Sequence, residues 1–285
     1  MAEQNRFGVQ ETATPMSTRQ INLKRRIATL SRALNMSRRG PRILLYHSVA
    51  GGPMSTSLNE FKTQIGWLAR NCSIIDLELL LEKQLTKPAY PVAITFDDGY
   101  VSVYTEAKKI LDNYNAPATV YLNTGWIDHD IPMRSDRGLG HYPNEYFLLW
   151  GQVNSLRTAG WTIGSHGVNH FDLTRLCGAQ LHKELARSRQ TIEAELREPC
   201  RHFAYTWGRY NRRVKSAVMT AGYCFAASCH HGVVGNTADP FAFPRINVDP
   251  GWTLDDLRAV IQGDWDYLNW IQRGRLAVSN FVANK

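Results

Sequence analysis

The stretch AITFDDGY at residues 93–100 places two carboxylates side by side directly after an apolar run. The run Pro91–Phe96 predicts a buried strand, and Gly99 behind the acids predicts a turn. Successive side chains of a strand point to opposite faces, so a chain that turns here can direct Asp97 and Asp98 to different partners. Two interpretations follow: an ordinary strand–turn junction, or a site where one acid binds a cation and the other handles a proton.

Strands and helices alternate on both sides of this stretch, from Arg42 to Trp270. Such alternation predicts parallel strands joined by right-handed crossovers. Seven or eight strand–helix units suit one α/β domain, a distorted (β/α) barrel of about seven parallel strands, better than two domains. The predicted strands are 42–47, 73–75, 91–96, 118–122, 161–164, 202–205, 223–227 and 241–246. The predicted helices are 76–84, 100–114, 144–159, 178–196, 211–221 and 254–270, with another after a capping box at Ser57.

Polar residues gather where these predicted strands end, and in a parallel barrel the chemistry lies at that rim. They are His47, Asp97, Asp98, Ser165, His166, His170, the stretch 205–210 and Arg245. His166 and His170 stand four apart in SHGVNH, so one helical turn would bring both imidazoles to a metal ion at about 2.0–2.1 Å. With an acid from another strand end they predict a His-His-Asp site for a divalent metal such as zinc. The other interpretation is a pair of surface histidines.

Three motifs resemble those of the polysaccharide deacetylase family, carbohydrate esterase family 4: LLYHSV at 44–49, TFDDGY at 95–100 and SHGVNH at 165–170. HFAYTWGRYN at 202–211 is similar to a further family motif, and the resemblance covers roughly residues 42–270. It implies a metal-dependent enzyme that removes acetyl groups from N-acetylated saccharides.

The resemblance also implies a role for each motif residue. Asp97 is expected to be the catalytic base. The expected ligands of a divalent metal, most simply Zn²⁺ with Co²⁺ or Ni²⁺ as alternatives, are Asp98, His166 and His170. The backbone N–H near Trp207 is expected to stabilise the oxyanion.

Two positions depart from the family pattern. Ala204 stands where many members have an arginine that steadies the catalytic aspartate, and Arg245 in FPRIN is the candidate to replace that arginine. Thr206 stands where the family usually has proline, which predicts a less rigid loop.

The general acid and the sugar-binding residues are less clearly marked in the sequence. His47 is the candidate acid for the leaving amine, with a structural histidine as the alternative and with His230 and His231 as weaker candidates. Aromatic rings at predicted strand ends are candidates for stacking on a sugar, although such rings more often belong to the core. They are Tyr205, Trp126 and Trp161, with Trp207 also near the site.

Two other functions are weighed against an N-deacetylase acting on a free or lipid-linked saccharide. The same barrel could hydrolyse a non-sugar amide or a cyclic ureide, or it could bind carbohydrate without catalysis. The intact set of Asp97, Asp98, His166 and His170 argues against a binding module, because binding needs no base beside a metal.

The net charge of +8 is unevenly distributed, because residues 1–42 carry +7 and the rest of the chain carries +1. A nucleic-acid-binding core would need a basic face, so no nucleic-acid partner is expected. The sequence predicts a disordered and basic amphipathic arm at 1–40, with disorder over 1–20, and a catalytic domain at 41–285. The five cysteines, with no C-x-x-C pair and no apolar leader, predict a cytoplasmic protein.

Within the arm, a helix is predicted over residues 21–36 with a stripe of Leu23, Ile27, Leu30 and Leu34. One interpretation packs this stripe on the barrel. The other has residues 21–39 contact an anionic membrane at its inner face. The sequence does not indicate an oligomeric state.

Overall fold

The computed structural model of the chain describes residues 17–34, 40–51, 55–82, 90–131, 133 and 145–272. The strands are β1 (Arg42–Tyr46), β2 (Ser73–Ile74), β3 (Pro91–Phe96), β4 (Thr119–Leu122), β5 (Thr162–Ser165), β6 (His202–Ala204), β7 (Phe225–Ala227) and β8 (Ile246–Asn247). The helices are α1 (Thr18–Ala33), α2 (Leu58–Asn71), α3 (Leu77–Leu81), α4 (Lys108–Asp112), α5 (Trp150–Thr158), α6 (Gly178–Leu196), α7 (Arg212–Thr220) and α8 (Leu254–Gln262). A π-helical turn, Val103–Ala107, leads into α4.

The strands form one parallel sheet in the order β7-β6-β5-β4-β3-β1-β8, with β2 added beside β3. An isolated bridge between Ala227 of β7 and Phe243, three residues before β8, joins the two ends of this order. The predicted α/β fold, a distorted barrel of about seven parallel strands, is therefore confirmed.

The central strands β1 and β3 are apolar except for Arg42 and Thr95, because both of their faces are covered. Every residue of Arg42–Tyr46 and Pro91–Phe96 is buried, as expected for parallel strands between helices and a barrel interior. Their register pairs Tyr46 with Phe96. His47 and Asp97 therefore leave the sheet side by side.

The same alignment continues along the sheet, where β4 and β5 pair Leu122 with Ser165. Asn123 and His166 then follow at the same edge as His47 and Asp97. The parallel registers thus collect residues from four strands at one rim, before any side-chain interaction is considered.

Several predicted boundaries are wrong for local reasons. The helix predicted over 144–159 begins at Trp150 in the described part of the chain, and its proposed cap Asn144 lies outside the described residues. The strand predicted over 241–246 is reduced to Ile246–Asn247 plus the Phe243 bridge. The helix predicted over 254–270 is interrupted after Gln262, because Gly263 adopts a left-handed conformation with φ of 96° and caps it; helical backbone resumes over 267–272.

The N-terminal helix begins earlier than predicted, so residues 17–20 are not disordered. Ser17 and Gln20 form a reciprocal capping box that starts α1 at Thr18. The helix then packs on the barrel through Ile21 and Ala28, which are 5% and 4% exposed. Residues 1–16 and 35–39, also assigned to the basic arm, lie outside the described residues.

Candidate active site

The two acids of the opening motif diverge, as the turn chemistry behind β3 allows. Asp98 has a φ of 71° and Gly99 a φ of 77°, so the chain reverses in the left-handed region immediately after Asp97. Both carboxylates are buried, Asp97 at 2% exposure and Asp98 at 1%. Each therefore needs a compensating partner, and the two find different ones.

Asp98 faces the two histidines of SHGVNH. Its Oδ1 lies 3.6 Å from His166 Nε2 and 3.5 Å from His170 Nε2. One ligand atom from each residue lies within 4.8 Å of the others. The other carboxylate oxygen, Asp98 Oδ2, is buried and accepts no hydrogen bond from the described residues. A buried oxygen of this kind beside two imidazole nitrogens fits a divalent cation bound by oxygen and nitrogen donors.

Neighbouring groups orient these three side chains. His166 Nδ1 lies 2.7 Å from the Ala204 carbonyl oxygen, and a donor hydrogen on Nδ1 leaves the Nε2 lone pair directed at the shared space. The Asn123 amide donates to Asp98 Oδ1 at 3.1 Å. His170 has a backbone φ of 56°, which is uncommon outside glycine, and its ring packs against the rings of Trp207 and Trp126. The tautomer and the orientations suit metal ligation.

Asp97 makes a bidentate ion pair with Arg245. Both guanidinium nitrogens, Nη1 and Nη2, lie 2.7 Å from the two carboxylate oxygens, and Arg245 is fully buried. Arg245 Nε also donates to the Ser228 carbonyl at 3.1 Å, and Nη1 donates to the Thr95 hydroxyl at 3.3 Å. Burial alone would raise the pKa of the Asp97 carboxyl, but the charge of Arg245, helped by His166, holds that pKa below its ordinary value.

Arg245 reaches Asp97 through the barrel interior from the β8 end. Its guanidinium lies 5.1 Å from the centre of the buried Tyr121 ring. The predicted pairing of Arg245 with Asp97 is present in the structure.

The loop after β6 bends sharply beside the histidines. Trp207 and Gly208 have φ values of 52° and 67°, and the Trp207 ring lies edge-on to His170 with centroids 4.4 Å apart. A Cβ on Gly208 would lie 2.7 Å from the Cys229 Cβ, so only glycine fits there. The Thr206 hydroxyl donates to the Phe171 carbonyl at 2.6 Å. This bond ties the loop to the histidine segment where the family's proline is missing.

His47 lies beside Asp97 at the rim. It directly follows β1, it is half-buried, and the backbone N–H of Asp97 donates to the Tyr46 carbonyl at 3.0 Å. The charge of His47 is one of the influences that lower the pKa of Asp97. His230 contacts Tyr210 instead, and His231 is buried beside Asp266 at 3.6 Å. His47 is therefore the histidine of these three that is placed next to the predicted base.

Of the three rings predicted to stack on a sugar, Trp161 and Tyr205 lie in the core, which contradicts that prediction, whereas Trp126 is buried beside His170. Trp161 precedes β5, at the opposite end from the site, and stacks on Phe96 at 5.7 Å. Tyr205 is fully buried and its hydroxyl donates to the Phe241 carbonyl at 2.9 Å. Trp126 is 5% exposed, and its ring packs against the His170 ring with centroids 5.6 Å apart. Aromatic side chains next to strand ends bury a large apolar area, so they more often pack in the core.

Two supporting residues were missed by sequence reasoning. Glu184 of α6 accepts from the backbone N–H groups of Val168 and Asn169 at 2.8 and 2.6 Å, which fixes the loop between the two histidines. Nothing in the sequence marks this helix residue. Asn123 was detectable, because it is a polar residue directly after a predicted strand.

A comparison with protein families matches the polysaccharide deacetylase model to residues 84–226. The match includes the acid pair and both histidines and extends over half of the chain. The chain belongs to the polysaccharide deacetylase family. The predicted family membership is therefore confirmed, whereas His47 and Arg245 lie outside the matched segment.

Known members of the family are similar to the chain over most of its length. YxkH of Bacillus subtilis (strain 168) is 26% identical over 225 residues, covering 77% of this chain and 75% of YxkH. The poly-beta-1,6-N-acetyl-D-glucosamine N-deacetylase of Staphylococcus aureus (strain N315) is 26% identical over 207 residues, covering 67% of each protein. The solved structure of IcaB from Ammonifex degensii has the same fold, with a TM-score of 0.68, 20% identity, and coverage of 80% of this chain and 98% of IcaB.

Proposed function

We propose that this deacetylase removes N-acetyl groups from an amino-sugar-containing saccharide with the help of a divalent metal, most simply Zn²⁺. One observation carries the proposal. A buried carboxylate, Asp97, is paired with Arg245 directly beside a converged set of Asp98, His166 and His170. A carbohydrate-binding module needs no base beside a metal set, whereas buried carboxylates with a shifted pKa and a dedicated charge partner are typical of catalytic sites.

Asp98, His166 and His170 would hold the metal through Oδ and Nε2 atoms. When bound, the metal would lower the pKa of water at its open position and polarise the acetyl carbonyl. Asn123 and the Ala204 carbonyl keep Asp98 and His166 in the orientation that this binding requires. The site therefore needs little rearrangement to take up the ion.

Two residues next to the predicted metal ligands would transfer the protons. Asp97 would accept a proton from the attacking water, and Arg245 would hold the carboxylate in place while it does so. The backbone N–H at the Trp207 turn would donate to the oxyanion as the water oxygen bonds to the acetyl carbon. His47 would then protonate the leaving nitrogen, so that the amide C–N bond breaks to acetate and a free amine.

The name of the Staphylococcus aureus relative suggests where to look for the substrate. That protein acts on a poly-N-acetylglucosamine, and we propose a related N-acetylated glycan for this chain. The competing reaction, hydrolysis of a non-sugar amide or cyclic ureide, would release ammonia or a ring-opened acid instead of acetate.

The proposal is tested by acetate release from a panel of N-acetylated glycans, with metal content measured on the same samples. Asp98→Ala should lose both metal and turnover, because one of three protein ligands is gone. Asp97→Asn should retain metal and lose about 10²–10⁴-fold in turnover, because the amide cannot accept the proton.

Two results would contradict the assignment. Stoichiometric metal in Asp98→Ala would show that the ion, if any, binds elsewhere. Wild-type acetate release by Asp97→Asn would show that another group is the base. Release of ammonia without acetate from the tested amides would favour the amidohydrolase.

A further inference from the structure

The helix α1 has two apolar surfaces, and only one of them contacts the barrel. Ile21 and Ala28 are buried against the domain, whereas Leu23, Leu30 and the capping residue Leu34 are 59%, 58% and 61% exposed. At about 100° per residue, the three leucines fall within roughly 40° of one another and lie nearly opposite Ile21 and Ala28. We call the exposed surface of Leu23, Leu30 and Leu34 the leucine stripe.

The inner surface of α1 is fastened along its length, so the leucine stripe is held outward. Arg25 forms a bidentate pair with the buried Asp256, with N–O distances of 2.8 and 2.6 Å. About two turns further on, Arg32 Nε donates to the buried Asp264 at 2.7 Å. The Tyr267 hydroxyl donates to a carbonyl of the same helix at 3.0 Å. Rolling the helix to bury the leucines would break all of these contacts.

Exposed positive charge borders the leucine stripe. Arg19 and Arg26 are exposed on α1, and both fall within about 60° of the leucines around the helix axis. The first 42 residues carry +7 of the net charge of +8, although Arg25 and Arg32 are already paired with acids of the domain on the inner side of the helix. Basic side chains beside an apolar stripe are the complement of an anionic lipid surface, where leucines enter the acyl boundary and arginines meet the headgroups.

We propose that α1 docks the deacetylase on an anionic membrane surface through the leucine stripe, with Arg19 and Arg26 at the headgroups. None of the helices in the described part of the chain combines the length and apolarity needed to cross a bilayer. Docking would therefore be peripheral and reversible. The arrangement reconciles the two interpretations of the sequence, because one side of the helix packs on the barrel and the other remains available.

The docked geometry has a consequence for the active site. Arg25 and Arg32 pair with Asp256 and Asp264 in the same chain order, so α1 runs parallel to α8. Since α8 begins just after β8, the start of α1 lies toward the rim that holds the site. A helix lying flat in the membrane surface would then leave the rim opening sideways along that surface, within reach of surface-attached saccharides.

The test is co-sedimentation with vesicles of phosphatidylglycerol and phosphatidylcholine, compared with phosphatidylcholine alone, at low and high salt. The wild-type chain should bind the anionic vesicles, and high salt should weaken binding. Leu23→Glu/Leu30→Glu should weaken it at least about tenfold per leucine, since burying a leucine contributes at least about 1.5 kcal/mol. Arg19→Gln/Arg26→Gln should weaken it about fivefold per charge, as expected from about 1 kcal/mol for each basic residue.

Met219→Glu is the control for a carboxylate added elsewhere on the surface, because Met219 is 50% exposed on α7, a helix that packs beside α6. It should bind vesicles as the wild type does. Acetate release from a soluble glycan and the thermal unfolding midpoint should be the same in all four proteins. If the glutamate pair lowers the midpoint, Leu23→Ser/Leu30→Ser repeats the test with a milder change.

Three outcomes would overturn the proposal. The first is wild-type protein that does not bind the anionic vesicles. The second is equal binding by the wild type and the leucine variants. The third is a wild-type dimer in light scattering that the leucine variants convert to monomers, because the stripe would then be covered by a second copy of the chain. None of these outcomes depends on whether the deacetylase mechanism is correct.

Discussion

Replacing Arg245 should impair the predicted base, Asp97, without affecting metal binding. The guanidinium makes two 2.7 Å bonds to Asp97 and none to the predicted ligands Asp98, His166 and His170. We therefore expect Arg245→Ala to retain metal while its turnover falls. Arg245→Lys keeps a positive charge but loses the planar fork, so its turnover should lie between that of the alanine variant and the wild type.

The expected magnitude follows from burial. Asp97 and Arg245 are 2% and 0% exposed, and removing one partner of a buried ion pair costs about 3–5 kcal/mol of stability. In a chain of this size the thermal midpoint should fall by roughly 10 °C. Burial then raises the pKa of Asp97 without its main opposing charge, so the carboxyl becomes a poorly oriented and partly protonated base. The loss of turnover should approach the 10²–10⁴-fold that general-base catalysis contributes.

The chain contains a matched control for this experiment. Arg42 is also buried and also makes a bidentate pair, with Asp266 at 2.8 and 3.0 Å, but away from the site. Arg42→Lys should lower the thermal midpoint as Arg245→Lys does and leave turnover per folded molecule unchanged. Acetate release, metal content and unfolding are measured on all variants at a temperature where each is folded.

The reasoning would be refuted by wild-type turnover in Arg245→Ala. It would also be refuted if Arg42→Lys and Arg245→Lys lost turnover equally, since the effect would then be one of general stability. Metal loss in Arg245→Ala would show that the arginine supports the ligands and not the base.

His47→Gln should lower turnover without changing metal content, and it should alter the alkaline limb of the pH–rate profile, because the imidazolium is the proposed proton donor to the amine; an unchanged profile would leave His47 with a structural role only. Burial lowers the pKa of His202 from 6.5 to about 4. Between these two pH values the His202 side chain is neutral in the folded protein but takes up a proton in the unfolded chain. The free energy of unfolding should therefore fall by up to about 3 kcal/mol as the pH drops from about 6.5 to about 4. Urea unfolding of the wild type and His202→Gln across this range measures it, and parallel pH dependences of the two proteins would exclude His202 as a cause.

The sequence alone determined the fold class and the candidate metal set. Strand and helix periods alternate along the chain, and parallel strands joined by helices follow from that alternation. Asp98, His166 and His170 were found because they stand within a few residues of predicted strand ends. The helical turn predicted between the two histidines is wrong, because residues 166–170 form an irregular loop with Gly167 and His170 at φ of 93° and 56°. Both signals are local, since they depend on residues within a few positions of one another.

The tertiary structure alone decided the partners that are distant in sequence. Arg245 and Asp97 are 148 residues apart, and only the folded chain brings them into contact. Glu184 holds the histidine loop from a helix surface that no motif marks. Trp161 and Tyr205, predicted at the site, were taken into the core instead.

The buried side of the N-terminal helix was also decided by residues that are distant in sequence. Its spacing predicted one apolar stripe, but a helical period does not say which side meets the protein. In the folded chain, Arg25 and Arg32 pair with Asp256 and Asp264 of the C-terminal region. The leucines lie on the opposite side of the helix and therefore face outward. Periodicity is a property of a short segment, whereas the choice of the buried side depends on groups that only the folded chain brings alongside it.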